Sequence, residues 1–156
     1  MTDGIKVMAR NRKASFDYHL EQRYEAGVVL TGAEIKSIRA NKITLQDGFV
    51  EVRNGELWML NVHINPYEQA GRLGYVEPTR PRKLLLHKKQ IAEITDWITG
   101  RGNSCVPTMI YLSGGRAKFE IALAKGKKQY DKRESIAKRD VERDIRQALK
   151  ERVRDN

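Results

Sequence analysis

The segment Ala124 to Glu134, AKGKKQYDKRE, combines the residue types that bind RNA. Five of its eleven residues are Lys or Arg, and Tyr130 lies among them. Ammonium and guanidinium groups neutralise phosphates, and a ring between them can stack on an unpaired base for ~1–3 kcal/mol. The segment NRKASFDYH near the N-terminus has the same combination. A run of charge is often only a solvated surface, but two such segments favour an RNA-binding function.

The net charge supports the same function. Lys and Arg outnumber Asp and Glu by 30 to 20, which gives +10 at pH 7 and a pI near 9.8. Residues 125–156 contain 12 basic and 7 acidic side chains, so these 32 of the 156 residues hold +5 of that charge. Such an excess indicates a polyanionic partner and favours nucleic acid over a small acidic substrate.

Catalytic residues are harder to find in this sequence. Glu34-Ile35-Lys36 is similar to the E-x-K motif of metal-dependent nucleases, but those nucleases place the motif on a strand. Thr31 followed by Glu34 is instead a capping box, in which each side chain binds the other residue's free backbone N–H at a helix start. The three histidines are far apart in the chain, and none has the spacing of paired metal ligands. The sequence therefore predicts a protein that is not an enzyme and has no metal site and no cofactor.

The sequence also carries expectations about location. The N-terminus has no apolar run of the length that a signal peptide needs, and no window approaches the ~18 apolar residues of a membrane span. Cys105 is the single cysteine, so it cannot form an internal disulfide. We expect a soluble cytoplasmic protein with no membrane partner, whose thiol is buried in or beside a strand.

The first elements follow from the spacing of apolar residues. Residues 18–24 alternate with period two and continue through Gly27 into an apolar run, which predicts one long strand bent or bulged at Gly27. The capping box then begins a short helix. Lys36 and Arg39 are expected to point outward from that helix, and Asn41 is a plausible left-handed stop.

Two hairpins follow in the second half of the predicted sheet. Residues 49–65 form one hairpin around Asn54-Gly55, because both positions tolerate a positive φ. Residues 106–123 form the other, and the apolar side chains of its second arm alternate inward. Residues 88–100 are predicted to be a helix. Residues 66–81 lack periodicity and are predicted to be a long loop of the kind that often binds a partner.

These six or seven mostly antiparallel strands predict an OB-like antiparallel β-barrel with flanking short helices, because closure removes the sheet edges. A mixed open sheet with helices on one face is the alternative. Residues 1–124 are the predicted RNA-binding barrel domain. In residues 125–156 the apolar residues recur every four positions and form only a thin stripe. We therefore expect a basic tail that is disordered when free and helical when bound.

Five long segments resemble the SsrA-binding protein family in sequence, order and spacing. They are NRKASFDY, YEAGVVLTGAEIKSIRAN, VRNGELWMLNVHINPYEQ, TRPRKLLLHKKQI and AKGKKQYDKRE. The resemblance extends from about Val7 to Arg139. It implies an OB-like protein that is not an enzyme and that binds the tRNA-like portion of transfer-messenger RNA (SsrA RNA).

The resemblance further implies a role in trans-translation. Family members bring this RNA to ribosomes stalled on messages without a stop codon, and their tail becomes helical in the empty messenger path near the decoding centre. The RNA then encodes a degradation tag. Alanyl-tRNA synthetase and elongation factor Tu act on the same RNA, and the protein is expected to be a monomer. A general RNA-binding or ribosomal protein is the alternative function.

The resemblance also implies site residues in two groups. The residues expected to bind transfer-messenger RNA are Asn11, Arg12, Lys13, Glu25, Lys36, Arg39, Leu85 and His87. The residues expected to act on the ribosome are Lys125, Lys127, Lys128, Tyr130, Asp131, Lys132, Arg133 and Arg139. Ser15-Phe16 stands where family members carry a basic residue and a histidine, which weakens the expectation of a phosphate contact there. An acid such as Glu25 suits an RNA surface if it accepts from a base amino group or a 2′-hydroxyl.

Overall fold

The computed structural model describes residues 4–67, 71, 75–127 and 143. These residues include nine strands and three helices. In chain order they are β1 (Lys6–Arg10), α1 (Arg12–Asp17), β2 (Tyr18–Val28), α2 (Gly32–Arg39), β3 (Ile43–Thr44), β4 (Phe49–Arg53), β5 (Glu56–Leu60), β6 (His63–Ile64), β7 (Arg82–Leu85), α3 (Lys88–Thr99), β8 (Asn103–Ser113) and β9 (Arg116–Gly126). The chain divides into two compact units, Met1–Gly126 and Lys127–Asn156.

Seven strands form one sheet in the order β1-β8-β9-β2-β7-β5-β4, and β3 pairs with β6 separately. All of the described strand pairs are antiparallel. The sheet curls until β4 lies against β8. The predicted mainly antiparallel β fold with flanking short helices is therefore confirmed, and the open mixed sheet is not the fold that this chain adopts.

The core lies on the concave side of this curled sheet. Its fully buried apolar side chains, each with 0% exposure, are Ala26, Ile38, Leu57, Met59, Val62, Ile94, Cys105, Ile110, Phe119 and Ile121. Fully burying a side chain of the size of Leu or Phe stabilises the fold by roughly 1.5–3 kcal/mol. The alternation that predicted the inward residues of the second hairpin is confirmed, since Ala117, Phe119, Ile121 and Leu123 are all buried.

The turns follow from local chemistry. Asn54 and Gly55 have φ values of 52° and 76°, which are the two positive values that a tight hairpin turn requires. Gly114 and Gly115 have φ values of 57° and 77° and close the β8–β9 hairpin. Asn41 ends α2 with φ 61°, as predicted.

The capping box of α2 is also confirmed. The Thr31 N–H donates to Glu34 Oε1 at 2.9 Å, and the Glu34 N–H donates to Thr31 Oγ1 at 3.1 Å. Glu34 therefore stands at the start of a helix and not on a strand, as the capping pattern indicated. Its carboxylate is bound within the protein, which removes the resemblance to a nuclease motif.

The bend predicted at Gly27 is wrong. The irregularity in β2 lies between Leu20 and Arg23, whereas Gly27 pairs regularly with Lys118 on one side and Leu85 on the other. A Cβ atom at Gly27 would lie 3.3 Å from the Leu85 Cβ. This glycine therefore allows a close approach of two strands and does not mark a corner.

The N-terminal elements were not predicted. Residues 11–17 were interpreted only as part of a basic segment, but they contain α1. The Asn11 Oδ1 accepts from the Ala14 N–H at 3.2 Å and caps α1, and Asn is a favoured residue at that position. Preceding α1, β1 pairs with β8 at the edge of the sheet.

Candidate nucleic-acid interface

One row of residues crosses five strands on the convex side of the sheet. Val7, Tyr111, Lys118, Gly27 and Leu85 are successive Cα partners on β1, β8, β9, β2 and β7. A residue directly before or after each of them is buried in the core, so the row itself faces outward. We call the surface that contains this row the outer face.

Glu25 lies on the outer face beside this row. Its Oε2 accepts a hydrogen bond from the Tyr111 hydroxyl, and its Oε1 lies 2.7 Å from Lys118 Nζ. These two bonds, that of Lys118 first, hold the pKa of Glu25 below its usual value. Burial raises the pKa of Tyr111, and the bond to Glu25 raises it further. The Glu25 side chain nevertheless remains 56% exposed and is charged at neutral pH.

Two further ion pairs lie on the outward side of these strands. Arg23 pairs with Glu120 at 3.1 Å, and Lys83 pairs with Glu56 at 3.0 Å. Exposed pairs of this kind stabilise a fold by only about 0–1 kcal/mol each. Their larger consequence is that, together with Lys118 and Glu25, they balance positive charge with negative charge across the outer face.

Leu85 supplies an exposed apolar group next to these charges. It is 51% exposed, and Val29 nearby on the chain leaving β2 is 48% exposed. Because Gly27 pairs with Leu85 and Glu25 precedes Gly27 by two residues on the same strand, Glu25 and Leu85 lie on the same face. The structure therefore brings together two residues that the family resemblance selected separately.

Asn11 has a different environment from the other predicted RNA-binding residues. It is only 8% exposed, and its Nδ2 donates to the Pro107 carbonyl at 2.9 Å and the Leu45 carbonyl at 3.4 Å. With its Oδ1 capping α1, both amide hydrogens and the oxygen are already engaged. A direct contact of this side chain with RNA stays a prediction. These hydrogen bonds indicate that Asn11 holds the start of α1 against the backbone at Leu45 and Pro107.

Arg12 and Lys13 lie on the exposed surface of α1. Lys13 Nζ is 4.0 Å from Asp17 Oδ2 one helical turn later. A cleft of about 530 Å³ opens beside Lys13, and the rings of Tyr18 and Phe49 line it. Cations beside partly exposed rings are the combination that the sequence predicted for this segment.

The remaining predicted RNA-binding residues lie on other elements. Lys36 and Arg39 are exposed on α2, and α2 packs against β6. The Lys36 Nζ lies 5.2 Å from the centre of the Tyr67 ring, a cation–π distance. His87 is exposed at the start of α3, two residues after Leu85.

The described residues also bear on other kinds of site. Among them, no three His, Cys, Asp or Glu side chains are placed to share a metal ion. No helix in the described ranges is long and apolar enough to cross a membrane. Cys105 is buried within β8, as predicted, and burial raises the pKa of its thiol to about 12.

The comparisons with known proteins identify the family. The family model described as SmpB protein matches residues 8–151. The chain belongs to the SmpB family. An SsrA-binding protein of Roseiflexus castenholzii is 57% identical over 149 residues, which cover 96% of this chain and 94% of that protein. An SsrA-binding protein of Shouchella clausii is 53% identical over 153 residues, which cover 98% and 97%. The resemblance found in the sequence motifs is confirmed.

A solved structure supports the SmpB fold. A chain from the structure described as "tmRNA-SmpB: a journey to the center of the bacterial ribosome" is 39% identical to this chain, with a TM-score of 0.67. The match covers 82% of this chain and 93% of that one. The barrel with flanking helices is therefore shared with an SmpB of known structure.

The predicted tail residues of this SmpB family member are only partly described. Lys125 lies in β9, opposite His19 and Asn103, and Lys127 follows directly after that strand. Outside the described residues lie Lys128, Tyr130, Asp131, Lys132, Arg133 and Arg139. Of the predicted tail, residues 125 and 126 lie in β9, Lys127 follows it, and Arg143 is helical and exposed. The expectation that the rest is disordered when free and helical when bound concerns residues outside the described ranges.

Sequence reasoning missed Tyr111 and Lys118. The predicted hairpin of residues 106–123 puts them on neighbouring strands, and the inward alternation of Ala117 and Phe119 puts Lys118 on the outward side, which was a usable signal. Their bonds to Glu25 depend on the pairing of β9 with β2. That pairing joins residues about 90 positions apart, and no local pattern in the sequence indicates it.

Proposed function

We propose that this protein binds the tRNA-like domain of transfer-messenger RNA, delivers it to stalled ribosomes and so enables trans-translation. The observation that carries this proposal is membership of the SmpB family across residues 8–151. It is supported by a structural relative that is described as tmRNA-SmpB in the bacterial ribosome. The basic pI and the mixed basic and aromatic segments agree with an RNA partner.

The body of the protein binds the RNA in two chemically different ways. Arg12 and Lys13 on α1, with Lys36 and Arg39 on α2, are exposed cations suited to phosphates. Asn11 fixes the start of α1 that presents the first two. On the outer face, Glu25 accepts hydrogen bonds from the RNA and Leu85 contacts a base or ribose through its exposed apolar side chain, with His87 close by in the chain.

The basic tail acts on the ribosome. The body ends where β9 ends, so we place the boundary after Gly126, two residues later than the sequence pattern suggested. Lys127 and Lys128 leave the body, and Tyr130 and the unit Asp131-Lys132-Arg133, with Arg139 beyond it, contact the empty messenger channel and the decoding centre. This tail lets the complex distinguish a stalled ribosome from one with an occupied channel.

The remaining features follow from this assignment. The protein binds and positions RNA and does not catalyse a reaction, and it needs no metal or other cofactor. Alanyl-tRNA synthetase and elongation factor Tu are partners only through the shared RNA. The protein works as a monomer in the cytoplasm, where ribosomes stall.

Reconstituted translation of a message without a stop codon tests this function. We expect the tagged peptide to form only when transfer-messenger RNA and this protein are both present, because the RNA alone lacks the contact with the messenger channel. The measurement is the fraction of nascent peptide that carries the tag, with protein-free and RNA-free reactions as controls. Equal tagging with and without the protein would contradict the proposal. That result would favour the alternative function, which is general RNA binding.

A further inference from the structure

Two carboxylates face each other on the outer side of the sheet. Glu25 on β2 is the Cα partner of Glu120 on β9. Like charges directly opposite each other in an antiparallel pair destabilise a sheet. The stability of the sheet therefore does not explain an acid at both positions. The groups around each carboxylate show how its charge is compensated.

Each acid is compensated by one hydroxyl from β8 and one cation. For Glu25 these are the Tyr111 hydroxyl and the Lys118 ammonium at 2.7 Å. Tyr111 is 7% exposed, so its hydroxyl has little access to water and is directed at the carboxylate. One lone pair on each carboxylate oxygen is thus used, while a carboxylate has about four acceptor sites.

Glu120 offers a matched comparison on the same face. Its Oε2 accepts from the Thr108 hydroxyl at 2.5 Å and lies 3.1 Å from Arg23 Nη1. The side chains differ in exposure, since Glu120 is 23% exposed and Glu25 is 56% exposed. Each carboxylate is held by one hydroxyl and one cation, which bind both oxygens of Glu25 but a single oxygen of Glu120. Glu25 extends much further into solvent.

We propose that Tyr111 and Lys118 are positioning residues that hold the Glu25 carboxylate as a fixed acceptor for a neutral hydrogen-bond donor of the RNA. Such donors are a ribose 2′-hydroxyl or a base amino group. Fixing the carboxylate before binding reduces the ordering that RNA binding must impose. Lys118 also neutralises Glu25, so the acid does not repel the phosphates around the donor. The inference rests on the proposed function.

Tyr111→Phe tests this inference, because it removes one hydroxyl and retains the ring. We expect the dissociation constant for transfer-messenger RNA to rise roughly three- to tenfold, because RNA binding must then order the Glu25 side chain itself. In a Glu25→Ala protein, the same change should have no further effect, because the residue that Tyr111 positions is gone. A purely structural role for Tyr111 would instead give additive losses in the double variant.

Lys118→Met provides a second variant with an independent readout. Removing a lysine that contacts a phosphate directly makes the negative slope of log K against log salt less steep by roughly 0.7–0.9. A lysine that acts through Glu25 has no effect of its own in the Glu25→Ala protein, so in that protein Lys118→Met should change neither the affinity nor this slope. If Tyr111→Phe reduces the melting temperature so far that RNA binding cannot be compared, Lys118→Met alone tests whether the neighbours of Glu25 position it.

Thr108→Val is the matched control. It removes the equivalent hydroxyl from Glu120, and we expect RNA affinity within about twofold of wild type because Glu120 is less exposed. RNAs lacking single 2′-hydroxyls or single exocyclic amino groups then distinguish the two donors. One such RNA should lose affinity for wild type and lose none for Glu25→Ala.

Several outcomes would overturn the inference. They are wild-type affinity of Glu25→Ala, wild-type affinity of both Tyr111→Phe and Lys118→Met, additive losses in the double variants, and the absence of any RNA modification whose effect depends on Glu25. Failure of the proposed function would look different, because the wild-type protein would then show no preference for transfer-messenger RNA at the outset.

Discussion

Ending the chain after Tyr130 is expected to abolish tagging on stalled ribosomes while leaving affinity for transfer-messenger RNA within about threefold of the full chain. Within the part of the chain that the structure describes, the core residues lie between Met8 and Ala124, and the shortened chain keeps all of these. The outer face and α1 also lie in this part. The deleted residues 131–156 contain nine basic and seven acidic side chains, a net charge of only +2. Their loss therefore weakens phosphate attraction little.

Two measurements on the same preparation check this prediction. One is RNA affinity at a fixed salt concentration, and the other is the yield of tagged peptide in reconstituted translation. Replacing Asp131, Lys132 and Arg133 together by Ala in the full chain is the control, and it should reproduce the loss of tagging. A shortened protein that loses affinity uniformly for all structured RNAs would show that the tail is a general RNA-binding segment.

Arg82→Ala is expected to cost roughly 3–5 kcal/mol of unfolding free energy, because it removes the fully buried cation from a buried carboxylate and leaves two backbone carbonyls without their donor. Arg82 is 0% exposed. Its Nε lies 2.5 Å from Glu34 Oε2, and its two terminal nitrogens donate to the carbonyls of Val62 at 2.8 Å and Pro78 at 2.9 Å. One side chain thus joins β7 to the start of α2 and to the end of the long loop.

Arg80→Ala is the matched control for this variant. Arg80 binds the same carboxylate at 2.5 Å, but its side chain is 29% exposed, so we expect a loss of only about 1 kcal/mol. Urea unfolding monitored by tryptophan fluorescence measures both variants. Equal losses for Arg80→Ala and Arg82→Ala would contradict the assignment of Arg82 as the central residue of this cluster.

The cluster also predicts how stability depends on pH. Burial alone would raise the pKa of Glu34, but the bonds from Arg80, the Thr31 N–H and Arg82 outweigh it and leave the pKa below 4.5. A carboxyl whose pKa is lowered by folding stabilises the protein above its unfolded pKa. That stabilisation is lost as pH falls from about 4.5 through the folded pKa. Glu34→Gln should flatten this part of the stability curve.

The parts of the fold that the sequence predicted depend on local chemistry. The Asn54-Gly55 turn needs two positive φ values, and the Thr31–Glu34 box needs residues three apart, so each can be recognised within a few positions. The alternation along β9 is equally local. The same dependence on local patterns explains why β1 and α1 were missed. In β1 only one residue, Met8, is buried, so its sequence shows too little alternation to indicate a strand.

Long-range pairing explains what could not be predicted about the site. The family resemblance selected Glu25 and Leu85, but only the pairing of β2 with β7 places them on one face. Tyr111 and Lys118 gain their role through β8 and β9. A buried arginine such as Arg82 is likewise invisible in a short run like RKLLLH, because its partners lie 4 to 48 residues away.

The central claim is that this protein recognises transfer-messenger RNA specifically, and direct competition between RNAs tests it. Labelled transfer-messenger RNA bound to the full chain is displaced by unlabelled transfer-messenger RNA or by an ordinary tRNA, at one stated salt concentration because phosphate contacts make affinity salt-dependent. We predict that transfer-messenger RNA competes at least roughly tenfold better, about 1.4 kcal/mol. Equal competition by the two RNAs would contradict the account.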